Sequence, residues 1–212
     1  MMRRAIGTVL ITLGIVLVAA ALIFTGITVW NEERSGENAR QALEQLRQEL
    51  PQATPSAPQR PQVTAPVTPL PEDPAQEESL KAMPEVIIDG VPYVGYLSIP
   101  ALNLELPVIG ESNEENLEIA PCRFYGTAYQ KNFVIGGHRY RRHFRKLSTL
   151  GYGEKLSFTD MDGKVFTYEV TETEILQPYQ AEYLCSGDWD LSLYTCTPGG
   201  LTRVVMRCLL AE

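Results

Sequence analysis

Near its C-terminus the chain carries Leu193-Tyr194-Thr195-Cys196-Thr197-Pro198-Gly199-Gly200-Leu201-Thr202-Arg203, an apolar run that ends in a cysteine and turns toward an arginine. Sulfur is a strong nucleophile only as thiolate. A nearby permanent cation favours that form and can also hold the oxyanion that develops when a carbonyl is attacked. Chemistry at a peptide carbonyl is therefore the first reading of this segment. The competing reading is an inert thiol on an ordinary hairpin, since free cysteine usually behaves as a small buried hydrophobe. A base is needed to decide between them.

The candidate base is His138, where the apolar run Phe133-Val134-Ile135 ends in Gly136 and Gly137. The glycines let the backbone turn and leave an imidazole accessible, and imidazole exchanges protons near neutral pH. The other histidine, His143, lies among Arg141, Arg142, Arg145 and Lys146 and is expected to be solvated. Without a cysteine elsewhere, His138 would read equally well as a satisfied histidine at a strand end.

A strand ending in His, a strand ending in Thr-Cys and an Arg opening the next strand occur in that order. The stretches are Asn132-Phe133-Val134-Ile135-Gly136-Gly137-His138, Ser192-Leu193-Tyr194-Thr195-Cys196-Thr197-Pro198 and Arg203-Val204-Val205-Met206-Arg207. In this order the chain resembles the sortases, membrane-anchored cysteine transpeptidases of Gram-positive bacterial surfaces. Val94-Gly95-Tyr96-Leu97-Ser98-Ile99-Pro100, followed by Leu106-Pro107-Val108, looks like further family strand motifs. The likeness runs from about Val91 to the C-terminus. Ser192 stands where the family usually has Thr in its Thr-Leu-x-Thr-Cys motif, and the Cys-to-Arg connection is short. The subclass stays open, with a class D-like enzyme among the options.

The resemblance implies a closed eight-stranded β-barrel. It also implies a reaction in which Cys196 attacks the Thr carbonyl of a Leu-Pro-x-Thr-Gly-like sorting signal, His138 protonates the departing amine and Arg203 steadies the oxyanion. The acyl group would then pass to an amine of lipid II, peptidoglycan or a pilin, and the substrates would be surface or pilin proteins. Leu97, Ile99 and Leu104 are expected to contribute to the recognition groove, although strand periodicity leaves groove and core both open for them. Neither cofactor nor metal is expected. A zinc site built on His138, His143 and a cysteine lacks a compact Cys-x2-Cys pair. A tethered cysteine protease, a non-catalytic peptide-binding module and a structural envelope component are the rival classes.

Positioning these residues requires a folded domain, and the first 83 residues hold little that would build a soluble core. Ala5 to Trp30 is almost uninterruptedly apolar, and about 20 such residues suffice to cross a bilayer. Arg3 and Arg4 precede it, so residues 1–4 are expected in the cytoplasm, 5–30 in the membrane and the remainder outside. A cleaved signal peptide is the alternative, but the apolar region exceeds the usual core of about 7 to 15 residues. Residues 31–83 are expected to form an extracellular stalk and linker. Glu32 to Leu50 favours helix, with Ala39, Leu43, Leu46 and Leu50 as a narrow apolar stripe; it reads as a solvated stalk, with a juxtamembrane helix or weak self-association element as alternatives. Pro51 to Ser79 is proline-rich and suits an extended, disordered tether.

Residues 84–212 read as an all-β catalytic domain with short helices. Strands are expected at 86–88, 93–99, 104–109, 132–135, 155–159, 164–175, 191–196 and 203–209, enough for a small filled barrel. Phe166, Tyr168 and Val170 should share one face, after an Asp162-Gly163 turn. Glu114 to Ile119 suits a short helix capped by Ser112 or Asn113, and Phe144 to Leu150 suits another helical turn. The net charge of −8 argues against nucleic acid as a partner. The basic cluster after His138 reads as a solvated face, or as an attractor for an acidic substrate flank or an anionic envelope polymer. Should Cys196 be the nucleophile, Cys122, Cys185 and Cys208 are left as an odd set, either buried thiols or one bridge.

Overall fold

The computed structural model describes residues 2–50 and 83–211, with side chains described from Leu13 onward. Pro51 to Ser79 lies outside the described residues. Helix α1 (Met2–Glu49) is followed by nine strands: β1 (Val86–Ile88), β2 (Val91–Ile99), β3 (Leu104–Ile109), β4 (Cys122–Tyr125), β5 (Phe133–Gly136), β6 (Lys155–Asp160), β7 (Val165–Leu176), β8 (Leu191–Cys196) and β9 (Arg203–Leu210). The sheet order is β1-β2-β3-β4-β5-β8-β9-β7-β6, and β6 pairs back onto β2. Eight strands thus close into a barrel, while β1 is an extra edge strand hairpinned to the start of β2.

Closure uses strands that alternation made visible, with one exchange. The count of eight expected from sequence included β1, which lies outside the ring, and missed β4, which belongs to it. Cys122-Arg123-Phe124-Tyr125 is four residues long and has no in-out alternation to read, so only its pairing with β5 identifies it as a strand. Along β7, Phe166, Tyr168 and Val170 are buried as expected. The short helix α2 (Glu114–Ile119) is capped by Asn113, whose Oδ1 accepts the Asn116 N–H at 2.8 Å. A 3-10 turn spans Phe144–Thr149 with Phe144 and Leu147 buried, and helix α3 (Ala181–Leu184) leads into β8.

Among the described residues, α1 is the one helix long and apolar enough to cross a membrane. It continues without interruption past Trp30 and stops at Glu49, two residues before Pro51, where the proline ring disfavours helix in the residue ahead of it. Its second half corrects the expected solvated stalk. Ala39, Ala42 and Leu46 are buried within the same hydrophobic core as the barrel, against β1, β3 and α2. The apolar stripe was legible, but its partner surface is assembled from elements far away in the chain, and a single helix's period carries no record of it. Gly36 belongs to this seam. A Cβ there would fall 2.3 Å from Arg142 Cδ, so the helix accepts an interior glycine in return for close packing of the arginine.

Candidate active site

Three adjacent strands build the candidate site. β5 runs parallel to β8 with Gly136 opposite Tyr194, and β8 runs antiparallel to β9 with Cys196 opposite Arg203. Interior positions of β8 and β9 are set by Leu191, Leu193, Met206 and Cys208, all in the barrel core. Alternation then sends Ser192, Tyr194 and Cys196 from β8, and Arg203, Val205 and Arg207 from β9, to the outer face. Val134 and Gly136 of β5 face the same way, and His138 follows two residues on. Gly137 N donates to Tyr194 O at 3.1 Å, which extends the β5–β8 ladder to the residue before His138. Cys196 and Arg203 are thus paired at one end of the outer face, and His138 follows β5 at the same end of the ladder.

The turn between Cys196 and Arg203 is tied at its base. Thr197 N donates to Thr202 O at 3.0 Å, and the two threonine hydroxyls lie 2.9 Å apart. Arg203 Nη1 donates to Gly200 O and to Thr202 O, both at 3.2 Å, so its guanidinium lies along its own turn. Cys196 is half-buried, and all four cysteines are free. The other three are the buried-thiol alternative: burial pushes the Cys122 and Cys208 thiols up to about 12, and it also raises Cys185, with Arg207 opposing. Thr195 points inward, 3% exposed, with no hydrogen-bond partner for its hydroxyl, which makes it a packing residue.

Tyr194 is a part of the site that the sequence did not single out, although its position two residues before Cys196 on the same face was a usable signal. Its ring packs edge-on to Phe124 at 5.5 Å and covers Gly136. Burial pushes its phenol up to about 12, while the Arg203 cation pulls it back and the Cys122, Cys185 and Cys196 sulfurs add to the rise. Phe124, Leu176, Pro178, Leu184, Tyr194 and Arg203 line a cavity of ≈ 160 Å³. A Cβ at Gly136 would fall 2.4 Å from Tyr194 Cζ, so Gly136→Ala has to displace the ring. The expected cost is about 1–3 kcal/mol in chemical denaturation. Unchanged stability would show that the ring does not pack on Gly136.

The groove reading of Leu97 and Ile99 is corrected by their burial. They are 1% and 0% exposed inside the barrel, because β2 turns those positions toward the core and closes against β6. Leu104 is half-buried on β3 and lines the seam with α1, not the face that carries Cys196.

His138 Nε2 lies 3.7 Å from Glu118 Oε1 and has no hydrogen-bond partner. The Tyr140 ring lies 4.9 Å from the imidazole, and its hydroxyl donates to Glu118 Oε1 at 3.0 Å. Among the described residues, Glu114, Glu118 and His138 form a group whose potential metal-ligand atoms lie within 4.8 Å of one another; it includes neither His143 nor a cysteine.

The solvated reading of His143 is overturned: it is 1% exposed, because α1 closes over it. Ser35 of α1 donates its hydroxyl to Glu118 O and lies 3.4 Å from His143 Nε2. Burial pushes the His143 imidazole down to about 4, with the charge of His138 adding to the effect and the Ser35 contact opposing it. The folded chain thus keeps His143 neutral down to about pH 4, whereas an unfolded imidazole protonates near pH 6.5. Between those values the unfolded state binds the extra proton, so this contribution to stability is present above about 6.5 and lost as pH falls toward 4. At about 1.4 kcal/mol per pH unit the loss reaches about 3 kcal/mol. In urea denaturation of the detergent-solubilised chain, the stability difference between wild type and His143→Gln should shrink over that window; parallel curves would sink the assignment.

Comparison with known proteins places this architecture. Residues 97–211 match the family model of the sortase domain. Sortase A of Bacillus anthracis is 28% identical over 115 residues, which cover 51% of this chain and 54% of that protein. The chain thus spans about half the length of the curated relative it matches. Among solved structures, sortase A from Corynebacterium diphtheriae superposes with a TM-score of 0.53 at 22% identity, covering 57% of this chain and 62% of that one. Sortase C1 from Streptococcus agalactiae gives 0.52 at 22% identity, covering 68% and 78%.

Proposed function

Because the chain belongs to the sortase family, we propose that it is a membrane-anchored cysteine transpeptidase acting on sorting signals of the Leu-Pro-x-Thr-Gly kind. The observation that supports this reading is the pairing of Cys196 with Arg203 across β8 and β9, with His138 two residues beyond the end of β5, which runs parallel beside β8. The Cys196 thiolate attacks the Thr carbonyl carbon. The C–N bond to Gly then breaks as the His138 imidazolium gives its proton to the leaving amine, and a thioester remains. Arg203, freed from its turn carbonyls, meets the developing oxyanion. An acceptor amine then attacks the thioester, His138 takes up its proton, and the thiolate is restored. The acceptor is an amine of lipid II, peptidoglycan or a pilin, and the donors are surface or pilin proteins.

The cavity bounded by Phe124, Tyr194, Leu176 and Arg203 suits an apolar side chain of the signal, since most of its walls are apolar and it opens beside the reacting face. Arg3 and Arg4 ahead of the apolar helix favour a cytoplasmic N-terminus, with the barrel as residues 84–212 outside the membrane. The test is incubation of the full chain in detergent with a sorting-signal peptide library and candidate amines, read by mass spectrometry. Joined peptide–amine products are expected. Hydrolysed peptide alone, unaffected by added amine, would make the protein a protease, and no Cys196-dependent product would make it a binding module.

A further inference from the structure

The His138 ring is enclosed on one edge. Nε2 is buried, has no hydrogen-bond partner and faces Glu118 Oε1 at 3.7 Å, whereas Nδ1 is not enclosed in this way. A buried polar atom left unpaired is costly, and an ionised carboxylate can only accept. The group that completes this gap is therefore an Nε2–H directed at Glu118. Catalytic hydrogen bonds are often long before substrate binds and tighten in the complex, so 3.7 Å is a separation from which this one can close.

Glu118 is exposed, but it is not free to turn away. The Tyr140 hydroxyl lies 3.0 and 3.1 Å from its two carboxylate oxygens and donates its proton to them. Burial, and after it this bond, pushes the Tyr140 phenol far above its usual range, so the donor keeps its proton. The Tyr140 ring lies against both histidines, 4.9 Å from His138 and 5.5 Å from His143. Its carbonyl accepts from His143 N at 3.0 Å and Arg145 N at 3.2 Å, while His138 O accepts from Phe144 N at 3.2 Å. On the opposite side, the Ser35 hydroxyl of α1 donates to Glu118 O and fastens the last turn of α2. An exposed ion pair usually contributes little, because two loose side chains must be ordered to make it. Here other contacts have already ordered both partners.

We propose that Glu118, held by Tyr140, is the positioning residue for His138: it accepts the Nε2–H and leaves Nδ1 as the nitrogen that exchanges protons with the substrate amines. This rests on the transpeptidase reading. Which ring nitrogen of a histidine carries the exchangeable proton is set by the bond that the other one makes. As the C–N bond to Gly breaks, the Nδ1 proton of the imidazolium passes to the leaving nitrogen, and the ring remains neutral with its proton on Nε2. The acceptor amine later returns a proton to Nδ1. Glu118 neither gains nor loses a proton in either half; it fixes the ring and its tautomer.

The full chain in detergent is compared with Glu118→Gln, Tyr140→Phe and the double variant, by joining kinetics on a sorting-signal peptide and by 15N NMR of the His138 ring. Glu118→Gln should lower kcat by about tenfold to a hundredfold, the worth of a hydrogen bond to a charged group, with KM within about twofold. Its Nε2 resonance should move while the unfolding midpoint stays in place. Tyr140→Phe keeps the ring contacts and should give a smaller fall in kcat, and adding it to Glu118→Gln should lower kcat little further. An unchanged kcat, a loss confined to KM or an unmoved Nε2 resonance in Glu118→Gln would each overturn the positioning role. Fully additive losses in the double variant would remove Tyr140 from it. Rates that fall on adding EDTA would give the Glu114, Glu118 and His138 group to a metal ion and overturn the direct contact. A wild-type chain without Cys196-dependent products would instead overturn the transpeptidase reading, and the proton path with it, so the two failures are told apart before any variant is made.

Discussion

Cys196→Ala is expected to lose thioester formation and peptide joining altogether, a drop on the order of 10⁴-fold or more, because it removes the sulfur to which the acyl group would be bound. The other three thiols do not compensate. Cys122 and Cys208 are buried in the barrel with their thiols pushed well up, and Cys185 caps the C-terminus of α3, where burial raises its thiol too. His138→Ala should lower turnover by about 10²–10⁴-fold while leaving Cys196 available to an alkylating reagent, since it removes the proton donor for the leaving amine and not the sulfur. The measurement is trapping of the acyl-enzyme by intact-mass spectrometry alongside single-turnover rates. A thioester in the Cys196→Ala protein, or full-rate acylation and transfer in His138→Ala, would refute the roles given to these residues.

The largest effect on stability is expected at Arg207. This arginine is fully buried and donates Nε to Glu174 Oε1 at 2.7 Å, Nη1 to Leu184 O at 2.8 Å and to Ser192 Oγ at 2.9 Å, and Nη2 to Tyr183 O at 3.3 Å. The Tyr183 and Trp189 rings lie 5.6 and 5.8 Å from its Cζ. Arg207→Met would leave the Glu174 carboxylate and two carbonyls of the α3 region without their donor. Breaking a buried pair from one side costs about 3–5 kcal/mol, or roughly 10 °C or more in Tm for a domain of this size. Because Arg207 fastens α3 to the outer face of the sheet, Cys185 should become more reactive toward maleimide in the same variant. A Tm within about 2 °C of wild type, with Cys185 labelling unchanged, would show that α3 is held by its apolar contacts alone.

Arg207 also explains a sequence feature that looked like a small departure. Ser192 stands in the position of a family threonine, and its hydroxyl accepts from the buried guanidinium. Either residue type would supply that oxygen. Sequence periodicity held the clue, since Arg203 and Arg207 are four residues apart on one strand and so share a face. It could not say that Arg203 sits at the open end of that face while Arg207 lies under a helix.

What the sequence determined by itself is local and chemical. A membrane-length apolar segment, a proline-rich stretch, strands with period two and the order His, Cys, Arg are properties of neighbouring residues, and the family likeness rests on those same short runs. Even β7's inward face could be read before any coordinates, and the cap of α2 narrowed to Ser112 or Asn113. Which surfaces meet was decided only in three dimensions. The pairing of β6 with β2 buried Leu97 and Ile99, the β8–β9 ladder set Cys196 opposite Arg203, and docking of α1 removed His143 from water. Each of these outcomes depends on contacts between residues tens of positions apart, which a local pattern of polarity cannot encode.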